Sequence, residues 1–136
     1  MSPVLVDTNV LIDIFSDDPV WAGPSTDALR RLADSEILVV NPIIYAELSA
    51  AFDTIEALDE VLPDEMFRRE HLPYEAAFLA GKVFLQYRRA GGSRRSPLPD
   101  CYIGAHAAVE GWPLLTRDTS RYRTYFPNIT LIAPAT

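Results

Sequence analysis

Residues 4–12 read Val-Leu-Val-Asp-Thr-Asn-Val-Leu-Ile, a short apolar run that turns polar at Asp7 and then becomes apolar again. A continuous apolar run with β-branched members is typical of a strand covered on both faces, as in a parallel sheet. Thr8 is a good N-cap for the next segment, whose apolar side chains recur at helical spacing as far as Phe15. This stretch therefore predicts a strand followed by a helix, with a carboxylate at their junction.

The same alternation of strand and helix continues along the chain. A second buried strand is predicted over 37–40. Further helices are predicted to open at Pro24, to run from Pro42 through Phe52, around 55–62, from Pro73 to Tyr87, over 100–109 and at 122–126, with strands over 113–115 and 129–132. This order predicts an α/β fold, a central and mainly parallel β-sheet flanked by helices in three α/β/α layers. Ligands of such sheets bind in the crevice outside the carboxyl ends of the strands.

The size and composition of the chain predict one globular domain spanning residues 1–136. Hydrophobic residues make up 49% of it and charged residues 23%, which excludes disorder as a description of the whole. The single cysteine, Cys101, allows no intrachain disulfide, so a reducing cytoplasm is the expected location. We expect neither a membrane helix nor a signal peptide, because no apolar run reaches about 18 residues and the start lacks a basic region.

The formal net charge is −7, from 12 Lys+Arg and 19 Asp+Glu. This balance argues against nonspecific attachment to nucleic acid through the overall field, but it leaves a local basic surface possible. Most of the cations are arginines in adjacent pairs. Two of these pairs, Arg30-Arg31 and Arg68-Arg69, are interpreted as solvated helix faces.

Arg94 and Arg95 lie in the stretch 91–99, whose composition predicts a surface loop leading to Asp100. Arginine forks suit phosphate oxygens, so both residues are candidates for phosphate contacts, with Arg117 a weaker one. A solvated loop without a role is the open alternative for Arg94 and Arg95.

Helical spacing separates one carboxylate from the others. Asp13 and Glu56 have polar side chains among their neighbours three and four residues away, so both are predicted on solvated faces. Glu47 has only apolar neighbours at those distances, so a carboxylate stands within an apolar stripe. A buried carboxylate without a partner is costly, and Glu47 therefore requires one. A buried arginine pair, or a network holding two helices together, is the alternative to a functional role.

Three further carboxylates stand at junctions. Asp7 and Asp118 each follow an apolar strand, and Asp100 begins a small-residue helix; taken singly, each also fits a cap or a turn. Together with Glu47 they suggest several carboxylates in one crevice. Such a cluster stays ionised only if cations neutralise it, and oxygen ligands suit Mg²⁺ or Mn²⁺. Two such ions can activate water and stabilise the leaving oxygen of a phosphodiester.

These residues carry a resemblance to a known family. Residues 4–12, Tyr45-Ala46-Glu47-Leu48, the stretch 98–105 around Asp100, and Leu115-Thr116-Arg117-Asp118 resemble the successive motifs of PIN-domain ribonucleases, particularly the VapC toxins of type II toxin–antitoxin systems. The resemblance extends from residue 4 to Leu131-Ile132, almost the whole chain. Four motifs in order are a far more specific signal than a lone Asp-Thr-Asn.

The resemblance implies a Mg²⁺- or Mn²⁺-dependent endoribonuclease toxin that cuts structured RNA of the tRNA or rRNA class. It implies that the catalytic, metal-binding residues are Asp7, Glu47, Asp100 and Asp118, and that Thr8, Asn9 and Thr116 orient carboxylates or water. Asp7 and Asp100 match the positions most directly tied to metal, whereas Glu47 and Asp118 ligate directly or through water. It further implies a homodimer and a cognate VapB-type antitoxin whose tail enters the active-site groove.

Two alternatives stay open at this point. A PIN-type nuclease acting on DNA or in RNA processing is barely separated from a toxin by sequence. A receiver-like signalling module with a Mg²⁺-binding acidic pocket is less favoured, because it needs a lysine late in the sheet and the only lysine, Lys82, lies within the long helix predicted from Pro73.

Overall fold

The computed structural model describes residues 1–95 and 98–135. Along them the helices and strands follow in the order β1 Pro3–Val6, α1 Thr8–Phe15, α2 Ala22–Ser35, β2 Ile37–Val40, α3 Pro42–Ser49, α4 Ile55–Val61, β3 Phe67–Arg69, α5 Tyr74–Arg89, α6 Pro99–Glu110, β4 Leu114–Leu115, α7 Thr119–Tyr125 and β5 Leu131–Ile132. In these residues no helix is both long and apolar enough to cross a bilayer.

The five strands form one sheet in the order β3-β2-β1-β4-β5, and every neighbouring pair is parallel. The first strand is central: Val4 is in register with Leu38 of β2, and Leu5 with Leu114 of β4. The chain builds outward from β1 in one direction through β3 and in the other through β5. The boundary between β1 and β4 is therefore the switch point where a crevice opens in sheets of this kind. The predicted parallel α/β fold is confirmed.

The hydrophobic core lies on both faces of the sheet. Val4, Leu5 and Val6 are all at most 2% exposed. Successive residues of a strand point to opposite faces, so burial of all three requires helices on both sides. The ends of β1 and β4 are therefore held in a rigid frame, and the residues that follow them inherit fixed positions.

The prediction that Arg68-Arg69 lies on a helix face was wrong. Both residues belong to β3, an edge strand paired with β2, and they remain exposed. A run of three residues is too short to show period 2, so only the pairing with β2 defines it as a strand. Arg68 contacts Glu70 at 2.7 Å and Arg69 contacts Asp59 at 2.9 Å.

Smaller differences concern helix ends. Helix α2 begins at Ala22, before Pro24, which lies in the first turn where its missing N–H is tolerated. Helix α3 ends at Ser49, short of the predicted Phe52. The predicted loop 91–99 includes residues 96 and 97, which lie outside the described residues; Arg94 and Arg95 in its described part are exposed.

Candidate active site

Asp7 lies at the carboxyl end of the central strand and is 4% exposed. Its Oδ1 accepts a hydrogen bond from the backbone N–H of Thr8 at 2.8 Å, and its Oδ2 accepts one from the Thr116 hydroxyl at 2.8 Å. Asp7 is the N-cap of α1, so the expectation that Thr8 caps this helix was wrong. The carboxylate is thus held from both sides and cannot turn away from the crevice.

Thr8 is the first residue of α1, and its side chain serves another carboxylate. Its hydroxyl donates to Glu47 Oε1 at 2.6 Å, which joins α1 to α3. Glu47, predicted to be buried in an apolar stripe, is half-buried, and the partner that it requires is a hydroxyl, not an arginine.

Thr116 connects the segment after β4 to the start of α1. Its fully buried hydroxyl donates to Asp7 and accepts from Asn9 Nδ2 at 3.3 Å and from the backbone N–H of Asp118 at 3.0 Å. Asn9 Oδ1 in turn accepts from the backbone N–H of Arg117 at 3.2 Å. The structure thus brings together the three polar residues predicted to orient carboxylates, Thr8, Asn9 and Thr116, around Asp7.

Asp100 lies in the first turn of α6 and receives two donors from α7. Arg121 Nη1 lies 2.6 Å from Asp100 Oδ2, and the hydroxyl of Tyr122 donates to Asp100 Oδ1 at 3.2 Å. Arg121 Nη2 also lies 3.3 Å from Oδ2 of Asp118, the N-cap residue of α7. One guanidinium therefore bridges two of the predicted carboxylates.

Arg121 and Tyr122 were missed by the sequence analysis. Arg121 lies three residues after Asp118, but the helix predicted from sequence began only at Tyr122, whereas α7 begins at Thr119, so this spacing did not mark the arginine. No local pattern marks Tyr122, whose hydroxyl meets a residue 22 positions earlier in the chain.

The carboxylates influence one another's ionisation. Burial raises the pKa of Asp7 to about 6, and the charge of Asp100 adds to this effect, against the hydrogen bond from Thr116. Burial likewise raises the pKa of Glu47, with the Thr8 hydroxyl opposing and Asp100 reinforcing the shift. The pKa of Tyr122 is also raised, by its burial and by the charges of Asp7 and Asp100. Negative charge is therefore concentrated in the crevice and is costly to hold without cations.

A cleft of about 470 Å³ opens beside Asp100, a volume in the range of small-ligand sites. Its walls include Glu47, Asp100, Arg121 and Arg94. Arg94, a predicted phosphate contact, thus lines the same cleft as Glu47 and Asp100. Arg95 is exposed beside it in sequence.

Arg117, the weaker predicted phosphate contact, makes a bidentate pair with Asp13, with both N···O distances at 2.9 Å. Its guanidinium lies over the ring of Trp21, 5.2 Å from the centroid. The prediction that Asp13 is solvated was wrong, since it is 1% exposed and also accepts from the Ser25 hydroxyl at 3.0 Å. Its helical neighbours are polar, but α2 and the segment after β4 cover it.

The donor chemistry of the site fits a hard divalent cation, because every candidate ligand is a carboxylate oxygen. Within residues 1–95 and 98–135, however, no three acidic, histidine or cysteine side chains converge closely enough to hold a metal ion. In this arrangement both oxygens of Asp7 accept hydrogen bonds, and Arg121 pairs with Asp100 and Asp118. A cation bound by Asp100 would compete with Arg121 for that carboxylate.

The fold and the site define a class: a parallel α/β domain with a buried aspartate after its central strand and further carboxylates around the switch point. The PIN domain family model matches residues 4–127, a range that contains all four carboxylates. The chain belongs to the PIN-domain family, which confirms the resemblance seen in its motifs.

Solved structures of toxin–antitoxin complexes share the fold. VapBC2 from Rickettsia felis, bound to a DNA fragment from its promoter, has a TM-score of 0.72 at 18% identity, covering 96% of this chain and 98% of its own. VapBC-1 from nontypeable Haemophilus influenzae has a TM-score of 0.71 at 21% identity, covering 96% and 97%. VapC20 from Mycobacterium tuberculosis, a toxin that cleaves the sarcin-ricin loop, has a TM-score of 0.57 at 18% identity, covering 87% and 93%. No curated protein matches the chain.

Proposed function

We propose that this protein is a VapC-type toxin, a Mg²⁺- or Mn²⁺-dependent endoribonuclease that hydrolyses phosphodiester bonds in structured RNA of the tRNA or rRNA class. The observation that carries the proposal is one network of hydrogen bonds and ion pairs, in which Thr8, Thr116 and Arg121 connect the four carboxylate residues Asp7, Glu47, Asp100 and Asp118. Membership of the PIN-domain family supports it, as does the shared fold with VapC20, a toxin that cleaves the sarcin-ricin loop.

Asp7 and Asp100 would hold the divalent cation directly, and Glu47 and Asp118 directly or through water. When bound, such an ion lowers the pKa of a water molecule and stabilises charge on phosphate oxygens. Thr116 and the N–H of Thr8 keep the Asp7 carboxylate at a fixed angle. This fixed geometry is what an in-line displacement at phosphorus requires.

Glu47 is suited to accept the proton of the attacking water. Its Oε1 is engaged by Thr8, its side chain lies on the cleft wall, and its Oε2 is the atom that would take the proton. In the metal-free site, burial raises the pKa of Glu47 above its ordinary value. The assignment of Glu47 as the base therefore rests on its position in the cleft.

The net charge of −7 repels RNA at long range, so local cations must hold the substrate. Arg94 lies on the cleft wall, and Arg95 is exposed beside it in sequence. We assign both to the phosphates that flank the cleavage site, since arginine pairs well with phosphate oxygens.

The experiment that tests the function combines purified protein with total RNA in Mg²⁺, Mn²⁺ or EDTA, followed by sequencing of new 5′ ends. We expect discrete cuts that need metal, and a loss of roughly 100-fold or more for Asp7→Asn and for Asp100→Asn. Glu56→Gln, an exposed residue of α4, is the matched control and should cut normally. Cuts that persist in EDTA or in Asp7→Asn would contradict the proposal, and cleavage of DNA alone would indicate a PIN nuclease of another kind.

A VapB-type antitoxin and a homodimer complete the proposal. The R. felis and H. influenzae structures are complexes of toxin with antitoxin and support such a partner. Co-expression with a cognate VapB-type antitoxin should yield a complex that no longer cuts RNA. Light scattering of the free protein should give the mass of two chains of 15.2 kDa, and a single-chain mass would refute the dimer.

A further inference from the structure

We propose that Arg121 is a substrate-binding residue of this nuclease, and that its guanidinium contacts the phosphate at the cleavage site once a divalent cation has displaced it from Asp100. The inference rests on the proposed function and deepens it. It assigns to one residue two states, a counterion of the carboxylates and a ligand of the substrate.

The guanidinium of Arg121 lies between two of the candidate carboxylates. Nη1 lies 2.6 Å from Asp100 and Nη2 lies 3.3 Å from Asp118, so Arg121 bridges carboxylates from two different segments. It lines the same cleft as Glu47 and Arg94. The positive charge therefore lies at the place where a cation and a phosphate have to meet.

The ion pair between Arg121 and Asp100 is open to solvent. The Arg121 side chain is 59% exposed, whereas Asp100 is 24% exposed. Ion pairs with so much access to solvent contribute little to folding, so this contact is not explained as a device for stability. Arg117 shows the contrast, because both of its bonds go to one carboxylate that is only 2% exposed and its guanidinium covers Trp21.

A divalent ion would compete with Arg121 for Asp100. Such an ion carries twice the charge of a guanidinium and prefers carboxylate oxygen, so it would bind Asp100 at the expense of Arg121. The displaced guanidinium stays in the cleft, because the next residue, Tyr122, is 1% exposed and its hydroxyl anchors α7 to Asp100. A phosphodiester then offers it two nonbridging oxygens and a negative charge, which match the planar fork.

The test compares Arg121→Gln, Arg121→Lys and the control Arg123→Gln, which changes an exposed arginine of the same helix. Calorimetric titration with Mn²⁺ in the absence of RNA should give several-fold tighter binding for Arg121→Gln, since a competing cation has been removed. In RNA cleavage, the same variant should lose about 100-fold in kcat/KM, as expected for a missing donor to a charged transition state. Arg121→Lys should retain part of the activity, because it keeps the charge and loses the fork, and Arg123→Gln should behave as wild type.

Melting in EDTA within about 2 °C of wild type will show that the variants are folded. If Arg121→Gln binds Mn²⁺ with unchanged or weaker affinity, Arg121 does not compete with the cation for Asp100. Its role would then be to hold the Asp100 side chain in position. If the wild type is active and Arg121→Gln cleaves RNA equally well, the inference about Arg121 is refuted and the proposed function stands. An inactive wild type would refute the proposed function, and the inference with it.

Discussion

Arg117 and Asp13 form a bidentate ion pair, with Nε to Oδ2 and Nη2 to Oδ1 both at 2.9 Å, between residues 104 positions apart. Asp13 belongs to α1, and Arg117 stands between Thr116 and Asp118, in the segment between β4 and α7. The same carboxylate accepts from Ser25 of α2. One buried group thus fixes three segments, among them the one that carries two residues of the candidate site.

The first prediction is that Asp13→Ala destabilises the protein and impairs cleavage. The substitution leaves the Arg117 guanidinium and the buried Ser25 hydroxyl without their acceptor, the Asp13 carboxylate. We expect a loss of about 2–3 kcal/mol in the free energy of unfolding, below the value for a fully buried pair, because Arg117 is partly exposed and can be rehydrated. Urea unfolding measures it, and Asp27→Ala, an exposed residue of α2, is the control. Equal stability of Asp13→Ala and the control would show that the pair does not hold these segments.

The second prediction concerns Asp7 and pH. Burial raises the pKa of Asp7 from 3.8 to about 6, so the folded protein binds this proton more tightly than the unfolded chain does. The resulting stabilisation is fully present below about pH 4 and is lost as the pH rises through about 6. In EDTA, this group alone should lower the free energy of unfolding by about 2 kcal/mol between pH 4 and pH 7.

Asp7→Asn removes this titration. It keeps an acceptor for the Thr8 N–H and loses the bond from Thr116, a cost of about 1 kcal/mol. At pH 7 without metal we therefore expect it to be more stable than wild type by about 1–2 kcal/mol, an advantage that disappears near pH 4. Asp34→Asn, an exposed residue of α2, should change the free energy of unfolding by less than about 0.5 kcal/mol at either pH. A lower stability of Asp7→Asn at pH 7 would indicate a structural network instead of a repulsive site.

The third prediction is that Arg94→Ala weakens RNA binding and its dependence on salt. RNA affinity is measured in an Asp100→Asn background, so that the RNA is not cut. One phosphate contact fewer should reduce the slope of log K against log salt by about 0.7–0.9. Arg95→Ala tests the neighbouring residue, and Arg30→Ala on the outer face of α2 is the control. A slope equal to that of wild type would remove Arg94 from the substrate-binding surface.

Local patterns predicted the features that local physics decides. The apolar run ending at Asp7 indicated β1, which the structure confirms. The apolar neighbours of Glu47 indicated a buried carboxylate that needs a partner; in the structure Glu47 is half-buried and Thr8 is that partner. Asp13 was predicted wrongly because its cover comes from Arg117, far along the chain. The role of Arg121 depends on how α6 and α7 pack. Long-range contacts of this kind leave no periodic trace in either segment.

The last prediction concerns that packing. A Cβ added to Gly104 of α6 would lie 2.3 Å from Cε2 of Phe126, the residue that follows α7. The absence of a side chain at Gly104 thus lets the end of α7 approach α6, which places Arg121 and Tyr122 beside Asp100. Phe126 is 7% exposed, so its ring cannot move aside without disturbing the core. Gly104→Ala should therefore cost about 1–3 kcal/mol and reduce cleavage.

Gly81→Ala is the matched control, since Gly81 is also helical, in α5, and an added Cβ meets nothing within 4 Å. There the substitution should stabilise the protein by about 0.5–1 kcal/mol, because alanine has the higher helix propensity. The free energy of unfolding in urea and the rate of RNA cleavage are measured for both variants. If Gly104→Ala were as stable as Gly81→Ala, the contact with Phe126 would not set the distance between α6 and α7. Loss of stability with full cleavage would mean that Asp100 does not depend on this packing for its place beside Arg121.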